Sequence, residues 1–263
     1  MSKRVVYFVI SVLAVWLMAH PPESFVTRGR WIWIGGVALV WALVMLAALV
    51  RATIASMDRN LAPGLTMTPV GDDQVPDALR PLAEQFVALG LARATPPLAI
   101  GATHATVLLG FVEDGGVVAG SAFSIRTARG TAHTAFDLFS RFEGDRGALT
   151  TGRTSAGAVL RPAPGALRQI FPAADLSTML AKHREALAWL ETEGVRARRL
   201  RASEFESLLR TALARQRSAF EAARVGYALT AIWRTITKAN PHARPLRDQP
   251  HARAEITRLL GRR

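Results

Sequence analysis

WIWIGGVALVWALVMLAALV, residues Trp31 to Val50, runs for twenty residues without a charge and is closed by Arg30 and Arg51. As a helix rising about 1.5 Å per residue it covers roughly 30 Å, the thickness of a bilayer's hydrocarbon core. Trp31 and Trp33 stand where interfacial aromatics belong, and Arg51 closes the other end as a headgroup anchor. Gly35, Gly36, Ala38 and Ala42 give this helix a small-residue face on which a second helix can pack closely. The stretch therefore predicts a membrane span, and the rest of the chain is organised by it.

Upstream, Lys3 and Arg4 precede a shorter apolar run, residues 5 to 19, ended by His20-Pro21-Pro22. A signal peptide has the same charged and apolar regions, but Leu17-Met18-Ala19 fits the small-x-small cleavage pattern poorly. A first span over about residues 5–20 is the preferred reading, which makes residues 1–51 a transmembrane helical hairpin with both flanks on the cytoplasmic side. His20 at its end has the chemistry of a haem or pigment ligand, although an interfacial turn residue is the plainer reading.

Downstream, residues 52–76 carry Pro63-Gly64, Pro69 and Gly71-Asp72-Asp73 and read as a linker. Residues 77–195 are expected to form a small α+β domain: a helix from Asp77 to about Leu91, then an antiparallel β-meander over Thr106–Val112, Val117–Arg126 and Thr131–Phe142, extended by Ala148–Thr151 and Leu167–Phe171. Glu113-Asp114-Gly115-Gly116 is its best hairpin turn. A helix follows, with Leu176, Met179, Leu180, His183, Leu187 and Leu190 on one stripe and Gly194 near its end.

The chain holds 33 Lys plus Arg against 20 Asp plus Glu, a net charge of +13. From Lys182 onward there are 18 basic and 8 acidic residues, so ten of that excess lie in the last third. Residues 196–263 are therefore read as a basic, helical C-terminal arm. It opens with RARRLR (Arg196, Arg198, Arg199, Arg201) and continues into a helix capped by Ser203 with Glu206 reaching back. That helix extends to Arg224 or through Gly226 to Ala239, and Arg210, Arg217 and Arg224 recur along it every seven residues. Such arginines suit an anionic surface, with lipid headgroups preferred because each basic residue near an anionic leaflet gains on the order of 1 kcal/mol. Nucleic acid is disfavoured, because charge comes without a stacking set or a named motif. Arginine dominance over lysine and abundant alanine suit a high-GC bacterial source.

No cysteine is present, which excludes disulfides and thiolate chemistry. The six histidines show no ligand spacing. His104 and His133 both fall beside residues 124–125 if the hairpins turn near 114–115 and 128–129, with Asp137 their nearest carboxylate; a slip of one residue sends the two rings to opposite faces. His183 on its apolar stripe reads as a packed, hydrogen-bonded residue. Ser155 matches neither a nucleophile elbow nor a phosphate loop.

Leu149-Thr150-Thr151, Pro162, Pro164, Phe171-Pro172 and the run from Leu180 through His183-Arg184 to Leu187 form an order that resembles uncharacterised bacterial proteins whose small α+β domain is often membrane-anchored. The resemblance covers about forty residues and implies no activity, cofactor or site. The expected function is a non-catalytic accessory or assembly subunit of a larger complex in the bacterial inner membrane. Its partners would be other membrane subunits and anionic lipid, with no cofactor. The alternatives are a membrane-surface enzyme using a His/carboxylate site, or a tethered binder of anionic lipid or nucleic acid.

Overall fold

The computed structural model describes residues 11, 14–20, 30–60, 66–101, 106–126, 132–152, 162–237 and 240–261. Two compact units divide it, residues 1–57 and residues 58–263.

Helix α1 runs Arg30–Asn60, all but its last three residues in the smaller unit, and is longer than the apolar run it contains. Its stretch Ile32–Asp58 is long and apolar enough to cross a membrane, with a mean hydropathy of 2.4. Residues 14–19 are helical, and the Trp33 indole donates to the Leu17 carbonyl at 2.8 Å. The start of the expected first span and the loop over residues 21–29 lie outside the described residues.

The larger unit is mixed α+β around one eight-stranded sheet. The strands are β1 (Met67–Pro69), β2 (Leu91–Arg93), β3 (Leu98–Ile100), β4 (Thr106–Glu113), β5 (Ala119–Arg126), β6 (Ala132–Arg141), β7 (Gly147–Thr151) and β8 (Ala166–Ile170). β2 and β3 pair end to end along one edge of β4, Arg93 opposite Phe111 and Leu98 opposite Leu108. They are one strand broken at Pro96-Pro97, where two consecutive residues cannot donate to the ladder. Pro69 sits in the outermost strand, where a missing N–H costs least. The β4–β5 hairpin turns through Gly115 at φ +60°, a conformation glycine adopts freely.

Three expectations change. All strand pairs are antiparallel except the last: β8 runs parallel to β7, Gly147 opposite Ala166 and Thr151 opposite Ile170. The linker over 52–76 is partly structured, since α1 continues to Asn60 and β1 lies within it. The helix expected over Asp77–Leu91 is a 3-10 turn followed by α2 (Arg80–Ala88); Gly90 at φ +86° ends it and Leu91 already belongs to β2.

Strand alternation gives the sheet two buried faces. On one, Leu109, Phe111, Ala122 and Leu138 pack under α2 and under α3 (Leu176–Thr192), whose Met179 and Leu180 join the same cluster. Asp175 caps α3 by accepting from the Thr178 amide at 2.7 Å, a hydrogen bond that holds its carboxyl below the usual range. On the other face, Leu108, Val112, Ala119 and Phe123 pack with Leu200 and Phe205. The chain crosses from the first face to the second through RARRLR: Arg198 donates from its backbone to the Arg141 carbonyl at 2.7 Å and Leu200 to the Gly116 carbonyl at 3.0 Å.

The long basic helix is two helices, α4 (Phe205–Ala222) and α5 (Arg224–Thr237), broken at Ala223 with φ −147° and ψ 42°. Ser203 does not cap α4. The capping bond falls two residues earlier, where the Arg201 amide donates to the Glu204 carboxylate at 3.1 Å. Residues 196–263 belong to the same unit as the sheet: Leu246 and, from α6 (Ala252–Leu259), Ala252 and Ile256 pack with Ala186 and Leu190 of α3.

Candidate functional site

Three places carry the chemistry expected from the sequence. The first is α1. Gly35 and Gly36 are exposed, and a Cβ built on either would meet nothing within 4 Å among the described residues. Ala42 is exposed and Ala38 half-buried, so the small-residue face of α1 is largely open among the described residues. Arg51 is exposed one residue past the apolar run. Of the two tryptophans, Trp33 makes the indole contact described above, and the side chain of Trp31 lies outside the described residues.

The second place is the arginine set. Arg198 pairs with Glu204, Arg210 with Glu206 at 2.6 Å, Arg217 with Glu221 at 2.6 Å, and Arg224 with Asp58 at 2.8 Å. Arg196 approaches Glu191 at 3.7 Å. Each heptad arginine thus has an acidic partner, and the break at Ala223 takes Arg224 off the helix that carries Arg210 and Arg217. Arg199 and Arg201 make no ion pair among the described residues. They line an open groove of about 840 Å³ that also holds Arg93, Glu113 and Asp114. Its charge is mixed, not uniformly basic.

The third place is the buried polar groups of the sheet. His183 is fully buried on α3. Its Nε2 lies 2.9 Å from Ser140 Oγ and its Nδ1 2.7 Å from Thr150 Oγ1. Ser140 donates its own proton to the Val117 carbonyl at 2.6 Å, so the ring must donate from Nε2. Thr150 then donates to Nδ1 while accepting from the Gln169 amide at 2.8 Å. The second amide proton of Gln169 reaches the Lys182 carbonyl, and its oxygen accepts from the Leu246 amide. The whole chain of bonds is satisfied with His183 neutral, and desolvation, aided by the neighbouring Arg184 charge, pushes its pKa down to about 3.

His242 differs. Gln249 commits its amide to the Arg168 and Arg244 carbonyls, so His242 donates from Nδ1 to the Gln249 oxygen at 3.2 Å. Its Nε2 is buried without a hydrogen-bond partner among the described residues, and burial lowers its pKa to about 4. The His251 ring stands perpendicular to it at 4.8 Å. Among the described residues, no three His, Cys, Asp or Glu side chains gather as metal ligands.

The pair expected at one end of the sheet is resolved in part. His133 pairs with Ile125, as the turn positions require, and is exposed; His104 lies outside the described residues. Asp137 shares the face of His133 but stands four residues along the strand, about 13 Å away at the ordinary strand rise. It is buried in a row with Ser121 and Thr151, each directly opposite it. That row was missed in the sequence because neither neighbour is close in chain order.

Between this row and α4 lies a cavity of about 270 Å³, roofed by Leu208, Leu209, Ala212 and Leu213 and floored by Ser121, Asp137 and Arg168. α4 is buried at its ends, by Phe205 and Phe220, and bridges the cavity between them. No family model, no curated protein and no solved structure matches this chain.

Proposed function

We propose that the protein is a membrane-anchored, non-catalytic accessory or assembly subunit of a larger bacterial membrane complex, with both termini and the α+β unit on the cytoplasmic side. The observation that carries this reading is the exposure of α1. Ile32 is 74 % exposed, Leu39 and Val40 61 %, and Leu43 55 %, an apolar surface whose hydration opposes its existence in water and favours a bilayer or a neighbouring helix. The open Gly35-Gly36 face on the same helix supports a helical neighbour. The first span and the hairpin it would complete are part of the proposal.

Extraction of the full chain from its native membrane in mild detergent, followed by native mass measurement, tests it. The expected result is a stoichiometric assembly with other membrane proteins. A strictly monomeric, solitary species overturns it.

A second reading, contact with anionic lipid, is favoured by Arg199 and Arg201, whose guanidinium groups are exposed and outside any ion pair among the described residues. It is compatible with the first reading and is separately testable.

A further inference from the structure

Helix α5 carries three distinct arcs. At about 100° per residue, Tyr227, Ala228, Ala231 and Ile232 face inward and are buried, with Tyr227 edge-on to Phe220 at 6.1 Å. Gly226, Thr230, Arg234 and Thr237 form a polar arc. Between them lie Val225, Leu229, Trp233 and Ile236, within about 80° of one another by the same geometry. They are 56, 41, 66 and 70 % exposed. The inward arc carries the packing of the helix, and the second apolar arc is left exposed among the described residues.

We propose that α5 lies flat on the membrane surface, with Val225, Leu229, Trp233 and Ile236 inserted at the boundary between headgroups and acyl chains. This rests on the membrane-anchored reading above and adds a second point of attachment. Three observations choose the bilayer. The arc joins aliphatic side chains to a tryptophan, whose apolar ring and polar N–H suit the interface. From Glu221 to Asp248 the intervening sequence has five basic residues, Arg224, Arg234, Lys238, Arg244 and Arg247, and no acidic one, a charge complementary to anionic lipid. The first residue of α5, Arg224, is ion-paired to Asp58, the residue at which the larger unit begins. α5 therefore begins beside the residue at which the chain enters the larger unit, and in the sequence Asp58 follows Val50 by eight residues of the same helix, α1.

A second copy of the chain is a poorer occupant. Four side chains on a helix of fourteen residues fall well short of the roughly 800 Å² per partner that a stable protein interface buries.

The chain has no cysteine, so single thiols can be placed at will. The full chain is reconstituted into vesicles of phosphatidylcholine and phosphatidylglycerol. A polarity-sensitive fluorophore is attached in turn at Leu229→Cys, Trp233→Cys, Thr237→Cys and Val44→Cys. Labels at 229 and 233 should emit to the blue and be quenched by doxyl lipids, while the label at 237 is quenched by aqueous iodide. The label at 44 reports the anchor. Lipid quenching at 44 with iodide quenching at 229 and 233 overturns the proposal and leaves the anchor standing. Iodide quenching at all four positions overturns both. Labels at 229 and 233 shielded from lipid and iodide alike identify a protein-covered face and also overturn it. The Leu229→Cys label repeats the measurement with Trp233 intact, so a disturbance caused by losing the tryptophan is recognised.

Discussion

His183 Nε2 lies 2.9 Å from the hydroxyl oxygen of Ser140, and it is the imidazole that donates, since the Ser140 proton goes to the Val117 carbonyl. A proton added at Nδ1 would displace the Thr150 hydroxyl donor and place a charge in a site without solvent. The histidine therefore joins β6 and β7 to α3 as a neutral cross-brace, and its protonation opposes the fold.

Stability should fall with acid in a defined window. The unfolded chain binds a proton at His183 near pH 6.5 and the folded chain only near pH 3. The contribution is whole above the first value and is lost progressively as pH falls towards the second, at about 1.4 kcal/mol per unit. By pH 5 the loss is about 2 kcal/mol on that slope. His242, whose pKa is lowered to about 4, adds a loss of the same sign. In His183→Gln the protein should be less stable at pH 8 by about 1–3 kcal/mol, from broken buried hydrogen bonds, yet lose less on acidification. Urea unfolding of the full chain in detergent at pH 8, 6 and 5 reads both. An unchanged acid slope in the variant would refute the neutral brace.

Much of this site was legible and part was not, for identifiable reasons. His183 fell on an apolar helical stripe with Met179, Leu180 and Leu190, which foretold its burial. Its partners Ser140 and Thr150, and Gln169 bonded to Thr150, come from three strands, and no local pattern joins them. The hairpins around Glu113-Asp114-Gly115-Gly116 were readable because turn chemistry and alternation agree. Strands of three residues, β1 to β3, are too short for a periodic signal. One of the two ends read for the long helix, Arg224, lies two residues past the end of α4 at Ala222; the immediate restart as α5 was not legible, because alanine at the break is the best helix former and tertiary packing by Phe220 and Tyr227 overrides propensity there. The arginines were plain as charges, but their ion-pair partners were set by the fold.

Gly110 lies beneath Phe205, the residue that anchors the first turn of α4. A Cβ at Gly110 would come within 2.7 Å of the ring's Cδ1 and Cζ atoms. Gly110→Ala should therefore cost about 1–3 kcal/mol by overpacking. Phe205→Leu alone should also be destabilising, by cavity formation, yet relieve much of the first loss when combined with it. A double-mutant cycle by chemical unfolding checks the coupling; additive losses would show that the ring moves aside freely.

Neutralising the exposed pair of the RARRLR strap separates charge from fold. Arg199→Gln with Arg201→Gln should leave unfolding almost unchanged and weaken attraction to anionic lipid by about 2 kcal/mol, roughly 30-fold. Arg198→Gln, by contrast, removes the partner of Glu204 at the start of α4 and should lower stability slightly, by up to about 1 kcal/mol. Because α1 anchors the full chain, the measurement is a surface one. Accessibility of the strap to a soluble protease on vesicles with and without phosphatidylglycerol should differ for the natural chain and converge for the double variant. Equal cleavage of both chains on both vesicles would remove lipid contact at this strap.

Gly35 and Gly36 offer the sharpest test of a helical neighbour. A Cβ at either position meets nothing within 4 Å among the described residues, and Gly35→Leu or Gly36→Leu gains helix propensity. Expression and membrane insertion should be preserved, and the apolar run becomes more hydrophobic. A partner helix that approaches the backbone closely at these glycines is held off by an isobutyl group, so the stoichiometric assembly should fall apart in detergent while the chain stays folded. Leucine at Val44, on the same helix away from the glycines, is the matched control. Loss of assembly for the glycine variants but not for Val44→Leu locates the contact; assembly that survives both glycine substitutions means that any neighbour binds elsewhere.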